Sequence, residues 1–90
     1  MKFTPGQLFA TPAALAVLAR AGQDPYQFVL RHCNGEHGKM SEKDNEDLDK
    51  CGFRVISMFE TSLQEPVWVV TEKDRSITTI SVPEDFVQAA

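Results

Sequence analysis

The sequence predicts an α+β domain in which N-terminal helices cover a three-stranded antiparallel meander, with a fourth strand if residues 6–10 pair. Two observations carry that prediction. Residues 67–72 and 76–82 are β-rich runs around the polar bend Lys73-Asp74-Arg75. β-branched residues suit a pleated backbone and a charged bend suits water, so this segment reads as a hairpin. Upstream, Thr11-Pro12 and Asp24-Pro25 each open a stretch with helical character. Thr or Asp at the N-cap accepts a bond from an orphan N–H, and Pro in the first turn lacks only a donor the helix does not use.

Taken in order, residues 6–10 form a short apolar run that reads as a strand. The first predicted helix spans 11–21, is rich in Ala, and stops at Gly22, suited to the left-handed C′ position. The second spans 25–33, with Gln27 placed to close a capping box on Asp24 and Asn34-Gly35 as the stop. Tyr26, Val29, Leu30 and Cys33 recur at helical spacing and are predicted to face the core. Ser41 and Asp44 open a third predicted helix over 41–51, which Gly52 ends. Its apolar content is small, Leu48 and Cys51, so it must dock to persist. Residues 54–61 form the first strong strand, and a loop over 62–66 leads into the hairpin. Pro83 ends the last strand because it has no N–H for the ladder. Trp68 is predicted to share a buried face with Val70, Ile80 and Val82.

Ninety residues with no repeat and no low-complexity linker predict one domain, 1–90, near the lower size limit for a self-sufficient core. The start of the chain lacks an apolar stretch of signal-peptide length, and the longest apolar run, 13–19, is too short to span a bilayer. A cytoplasmic protein is therefore expected, with no membrane partner and with Cys33 and Cys51 as reduced thiols. The net charge of −4 argues against direct nucleic-acid binding, which needs a basic face. That charge is uneven. Glu42, Asp44, Glu46, Asp47 and Asp49 stand against only Lys43 and Lys50 in the third predicted helix, either as a solvated face or as a ridge for a basic partner.

Reactive chemistry finds little equipment. His32, Cys33, His37 and Cys51 would have to be a complete zinc set, and helix geometry turns the neighbours His32 and Cys33 about 100° apart. The simpler reading makes both cysteines core residues and sets His32 at a helix C-terminus, where the dipole favours it. Cys51 lies behind acids that would raise its pKa, and the serines lack a strand-to-helix elbow. His32 with Asp44 is an acid–base candidate, although Asp44 already serves the capping box. No phosphate-binding Gly-rich loop occurs. No enzyme activity and no cofactor are expected.

The segments RHCNGEHG (31–38), SEKDNE (41–46), GFRVISMF (52–59) and WVVTEKDRSITTISVPEDF (68–86) resemble a small bacterial family. That family is carried on plasmids and integrative elements and is labelled plasmid-related or, in places, type I restriction subunit M. TPAALAVLARAG (11–22) fits its opening, so the likeness covers nearly the whole chain. The matching positions are His32, Gly35, Gly38, Asp44, Asn45, Arg54, Ser57, Trp68, Thr71, Glu72, Asp74, Arg75, Ser76, Thr78 and Thr79. Where family members carry G-D-W-G, this chain has Gly35-Glu36-His37-Gly38, which makes His37 a departure and weakens it as a shared metal ligand. The restriction label implies a cofactor-binding, base-flipping methyltransferase, and 90 residues without a Gly-rich loop do not house one.

The resemblance and the acidic surface together lead to an expectation of a non-enzymatic accessory protein of a mobile element that binds another protein. Inhibition of host defence, anti-CRISPR or anti-restriction, is its most concrete form. The expected partner is a host, phage or plasmid protein with a basic surface, such as a nucleic-acid-binding defence complex. Glu42, Glu46, Asp47 and Asp49 on the acidic helix, with Asp74 and Arg75 in the bend, are the expected contacts. Two alternatives stand beside it. One is a small metal or thiol–histidine enzyme using His32, Cys33, His37 and Asp44, and the other is a regulatory or structural homodimer paired through strand edges.

Overall fold

A computed structural model describes residues 3–40 and 54–86. The elements run β1 (Gln7–Ala10), α1 (Pro12–Ala21), α2 (Pro25–Cys33), β2 (Val55–Glu60), β3 (Pro66–Thr71) and β4 (Ile77–Ser81), followed by a 3₁₀ turn over Pro83–Phe86. The α+β class and the helices-on-sheet arrangement agree with the sequence. The third predicted helix, 41–51, lies outside the described residues, and with it Glu42, Glu46, Asp47, Asp49, Asp44 and Cys51.

The sheet has four strands in the order β1-β4-β3-β2. β2, β3 and β4 form the expected antiparallel meander. β1 joins it in parallel, with Gln7 opposite Ile77 and Ala10 opposite Ile80, so the sheet is mixed. The reason is topological. The chain leaves β1 through two helices and re-enters at the far edge, and the meander then returns β4 beside β1 in the same direction.

Both helix starts form as their sequences dictate. The Thr11 hydroxyl accepts from Ala14 N–H at 3.1 Å, and the Asp24 carboxylate accepts from Tyr26 N–H at 2.8 Å. Gly22 ends α1 at φ 65°. Asp85 ties the end of β4 to the start of α1: its Oδ2 accepts from the Thr11 hydroxyl at 2.7 Å and from Val82 N–H at 2.9 Å.

The core lies between the helices and one face of the sheet. Ala14, Val17 and Leu18 of α1 and Phe28, Val29 and Cys33 of α2 meet Phe59, Val67, Val69, Ile80 and Val82. This corrects the predicted face of α2. Tyr26 and Leu30 are exposed, whereas Phe28 and His32 take the buried stripe with Val29 and Cys33. The i, i+4 pairs Phe28–His32 and Val29–Cys33 lie side by side on one face over the last six residues of the helix, and that face is the one set on the sheet. Trp68 also differs from expectation. It pairs with Met58 and Ser81 and shares a face with Val70, but that face is the one turned away from the helices, while Ile80 and Val82 face the core.

The two edges of the sheet differ. Beside β2, Gly38 forms a parallel bridge with Met58; Lys39 N–H donates to Met58 O at 2.8 Å and Met58 N–H to His37 O at 3.0 Å. A Cβ on Gly38 would lie 2.0 Å from Met58 O, and its φ is +61°, so only glycine lets residues 37–40 seal this edge. A Lys39–Glu60 ion pair closes it further. At the other edge, no described element pairs with β1.

Candidate functional site

At one end of the helix-facing sheet surface the core turns polar. Strand alternation puts Ser57, Thr71 and Thr78 on the same face as Val69 and Ile80, one hydroxyl from each of three adjacent strands. All three are fully buried, and so is His32, which α2 drops onto them. His32 Nδ1 lies 2.6 Å from Ser57 Oγ, and Nε2 lies 2.8 Å from Thr71 Oγ1. Thr71 and Thr78 hydroxyls are 2.7 Å apart, and Thr78 Oγ1 is 2.7 Å from Pro5 O. At the other end His37 Nδ1 lies 2.7 Å from Ser57 Oγ.

A carbonyl only accepts, and this one fact orders the hydrogens. Thr78 must donate to Pro5 O, so Thr71 donates to Thr78, and His32 Nε2–H donates to Thr71. Ser57 has two acceptors in reach, His32 Nδ1 at 2.6 Å and Glu36 O at 3.3 Å. If it gave its proton to Glu36 O, both His32 nitrogens would need protons and a buried imidazolium would result. Burial, and then the nearby charges of His37 and Arg75, push His32 down to about 4 from an ordinary 6.5. The neutral ring therefore wins, Ser57 donates to Nδ1, and His37 Nδ1–H donates to Ser57. The predicted dipole preference for a charged His32 is overturned, because desolvation outweighs a helix terminus.

Aromatic groups wall this chain. The Phe3 ring meets His32 edge-on at 5.3 Å and 85°, and His37 does so at 5.8 Å. The Arg75 guanidinium sits over Phe3 at 5.3 Å. Among the described residues no buried side-chain polar atom lacks a partner.

The bend directly follows the Thr71–Thr78 pair. Glu72 N–H donates to Ile77 O and Arg75 N–H to Glu72 O, each at 2.9 Å. Asp74 Oδ1 accepts from Ser76 N–H at 3.0 Å and from the Ser76 hydroxyl at 2.6 Å, which holds its carboxyl below the usual range. Arg75 adopts φ 63°. Glu72, Lys73, Asp74 and Ser76 line a broad open depression of about 510 Å³. Of the expected contacts, Asp74 and Arg75 thus stand together here, and Asp74 does the turn chemistry its position suggests.

Of the positions matched under the resemblance, His32, Ser57, Thr71 and Thr78 converge in one chain of bonds. Sequence reasoning missed that convergence, although its signal was present: three hydroxyls on core-facing positions require a buried partner. Cys33 is buried and its thiol is pushed up by burial. Among the described residues no group of three or more His, Cys, Asp or Glu is placed to hold a metal, and no helix is long and apolar enough to cross a membrane. Asp44 and Cys51, the remaining members of the metal and acid–base candidates, lie outside the described residues. No protein-family model matches the chain, and neither a curated protein nor a solved structure matches it significantly.

Proposed function

We propose that this chain is a binding protein without catalytic chemistry that engages a basic surface on another protein through segment 41–51 and the 72–76 bend. The observation that carries the reading is the closed bond chain beneath that bend. His32 has both ring nitrogens committed to hydroxyls, and the two hydroxyls beside it, Ser57 and Thr71, are both sealed from solvent. The chain clamps Thr71 to Thr78, the last pair before the bend, and so supports a rigid display of Asp74 and Arg75. A preorganised surface of this kind binds with less ordering cost, while steering towards a basic partner falls to the net-negative segment 41–51.

For a protein of mobile-element type, the most concrete target is a host defence nuclease or guide complex whose groove ordinarily holds phosphates. The test is transformation of cells with an active CRISPR or restriction system by a targeted plasmid, with and without this chain. Expression is expected to raise transformation, and Glu46→Lys, Asp47→Lys and Asp49→Lys combined with Asp74→Lys are expected to abolish the gain. An unchanged efficiency with the native chain, or a full gain with the reversed one, overturns the reading.

A further inference from the structure

The open edge of the sheet has the makings of an interface. Gln7 N–H donates to Ser76 O and Thr11 N–H to Ile80 O, both at 2.9 Å. Strand parity then turns the N–H and C=O of Leu8 and Ala10 outward, away from β4. Leu8 is 42% exposed and Phe9 52% exposed, one on each face of the sheet. The strand Gln7–Ala10 carries no charge, within a chain of net charge −4.

We propose that a second copy of this chain pairs with β1 antiparallel across a two-fold axis, joining two four-stranded sheets into one. The outward groups set the register. Leu8 forms a hydrogen-bonded pair with Ala10 of the other copy, Ala10 pairs with its Leu8, and the two Phe9 residues meet as the close pair on the axis. Four main-chain bonds form, all within the observed strand. The packing on the helix face fits this register. A groove of about 170 Å³ lies between β1 and the start of α2, lined mainly by the apolar side chains of Leu8, Ala10, Pro25, Val29 and Ile80, with Asp24 its one charged lining residue. Register brings the other copy's Leu8 beside Ala10, at the mouth of this apolar groove. Large side chain meets small on this face, and ring meets ring on the other.

The second edge explains why assembly stops at two. Lys39 N–H and His37 O, either side of Gly38, already occupy the C=O and N–H of Met58 midway along β2, so among the described strands β1 is the edge left open along its length. One open edge per copy closes an isologous pair and cannot propagate into a fibre. The dimer does not depend on the partner-binding reading above, since it is argued from the backbone and side chains of β1 alone, although that strand begins beside Ser76 of the bend.

Sedimentation equilibrium over a concentration series tests it. The native chain is expected to approach twice 10.0 kDa. Phe9→Lys, which sets two ammonium groups face to face on the axis, is expected to weaken association about 30-fold or more, as loss of a central aromatic anchor does. Phe9 is exposed in the single chain, so at concentrations low enough for both to be monomeric the variant is expected to melt as the native chain does. In a Cys51→Ser background, Phe9→Cys is expected to cross-link to its own mate under mild oxidation, because that pair falls within disulfide reach, while Gln7→Cys is not. A native chain that stays at 10.0 kDa up to millimolar concentration overturns the dimer and leaves the edge to a foreign strand. Equal cross-linking at positions 7 and 9, or a Phe9→Lys chain that dimerises normally, overturns it as well.

Discussion

His32 concentrates the residue-scale physics of this molecule. Its folded pKa, about 4, lies below the ordinary 6.5, so the unfolded chain takes up this proton first as pH falls. The group's contribution to stability is therefore fully present above pH 6.5, declines below it, and is lost as pH passes through 4. The integrated loss is about 3 kcal/mol. Urea midpoints measured between pH 7 and pH 4.5 should show this slope, and His32→Gln should flatten it. Thr71→Val removes the acceptor of Nε2–H and should cost about 1–3 kcal/mol in chemical denaturation. A loss of only a few tenths would mean that His32 turns to another partner. The sequence made His32 visible as a helix-terminal residue but gave the wrong sign to its environment. Whether a histidine at a helix end is solvated or buried depends on the helix's rotation about its axis, and that is set by packing on strands distant in sequence.

Among the elements, the local signals were the legible ones. Thr11-Pro12, Asp24-Pro25, Gly22 and Pro83 all mark boundaries that the structure keeps, because caps and prolines act within a few residues. Thr11→Ala should cost about 1 kcal/mol for the lost cap alone, and more in a thermal melt because the Asp85 clamp goes with it. What local signals cannot encode is which strands become neighbours. The direction of β1 follows from a return path to β4 through four described elements, and the face of Trp68 follows from a register fixed across three strands. Gly38 belongs to this scale too. Gly38→Ala must push residues 37–40 off β2, since the Cβ would sit 2.0 Å from Met58 O. Amide exchange at Met58, whose N–H donates to His37 O, should accelerate at least tenfold while Val69 in the centre of the sheet is unaffected. Equal protection in both forms would show that the edge accommodates a side chain.

For the whole molecule, charge is the property the sequence states most plainly and the fold uses most indirectly. The acids of 41–51 are read directly from the sequence and lie outside the described residues. If they steer a basic partner, the association rate should drop several-fold between low and physiological salt, because screening shortens to about 8 Å. Stopped-flow mixing at two ionic strengths measures it, and a salt-independent rate removes the charge-mimicry version. The polar cluster at one end of the core was much less legible. Ser57, Thr71 and Thr78 each alternate with core residues along their own strands, but it is the sheet register that brings them side by side.

The parallel seam between β1 and β4 also governs how the chain assembles in time. Gln7 meets Ile77 only across most of the chain's length, so the entropy of closing that long loop is expected to make this seam late in folding and early to loosen. Hydrogen exchange should report it, with the Gln7 and Thr11 amides opening before those at the β2–β3 junction. A chain whose outermost strand detaches first exposes the inner flank of β4 as a transient landing place, which is the natural starting point for strand exchange between molecules at high concentration.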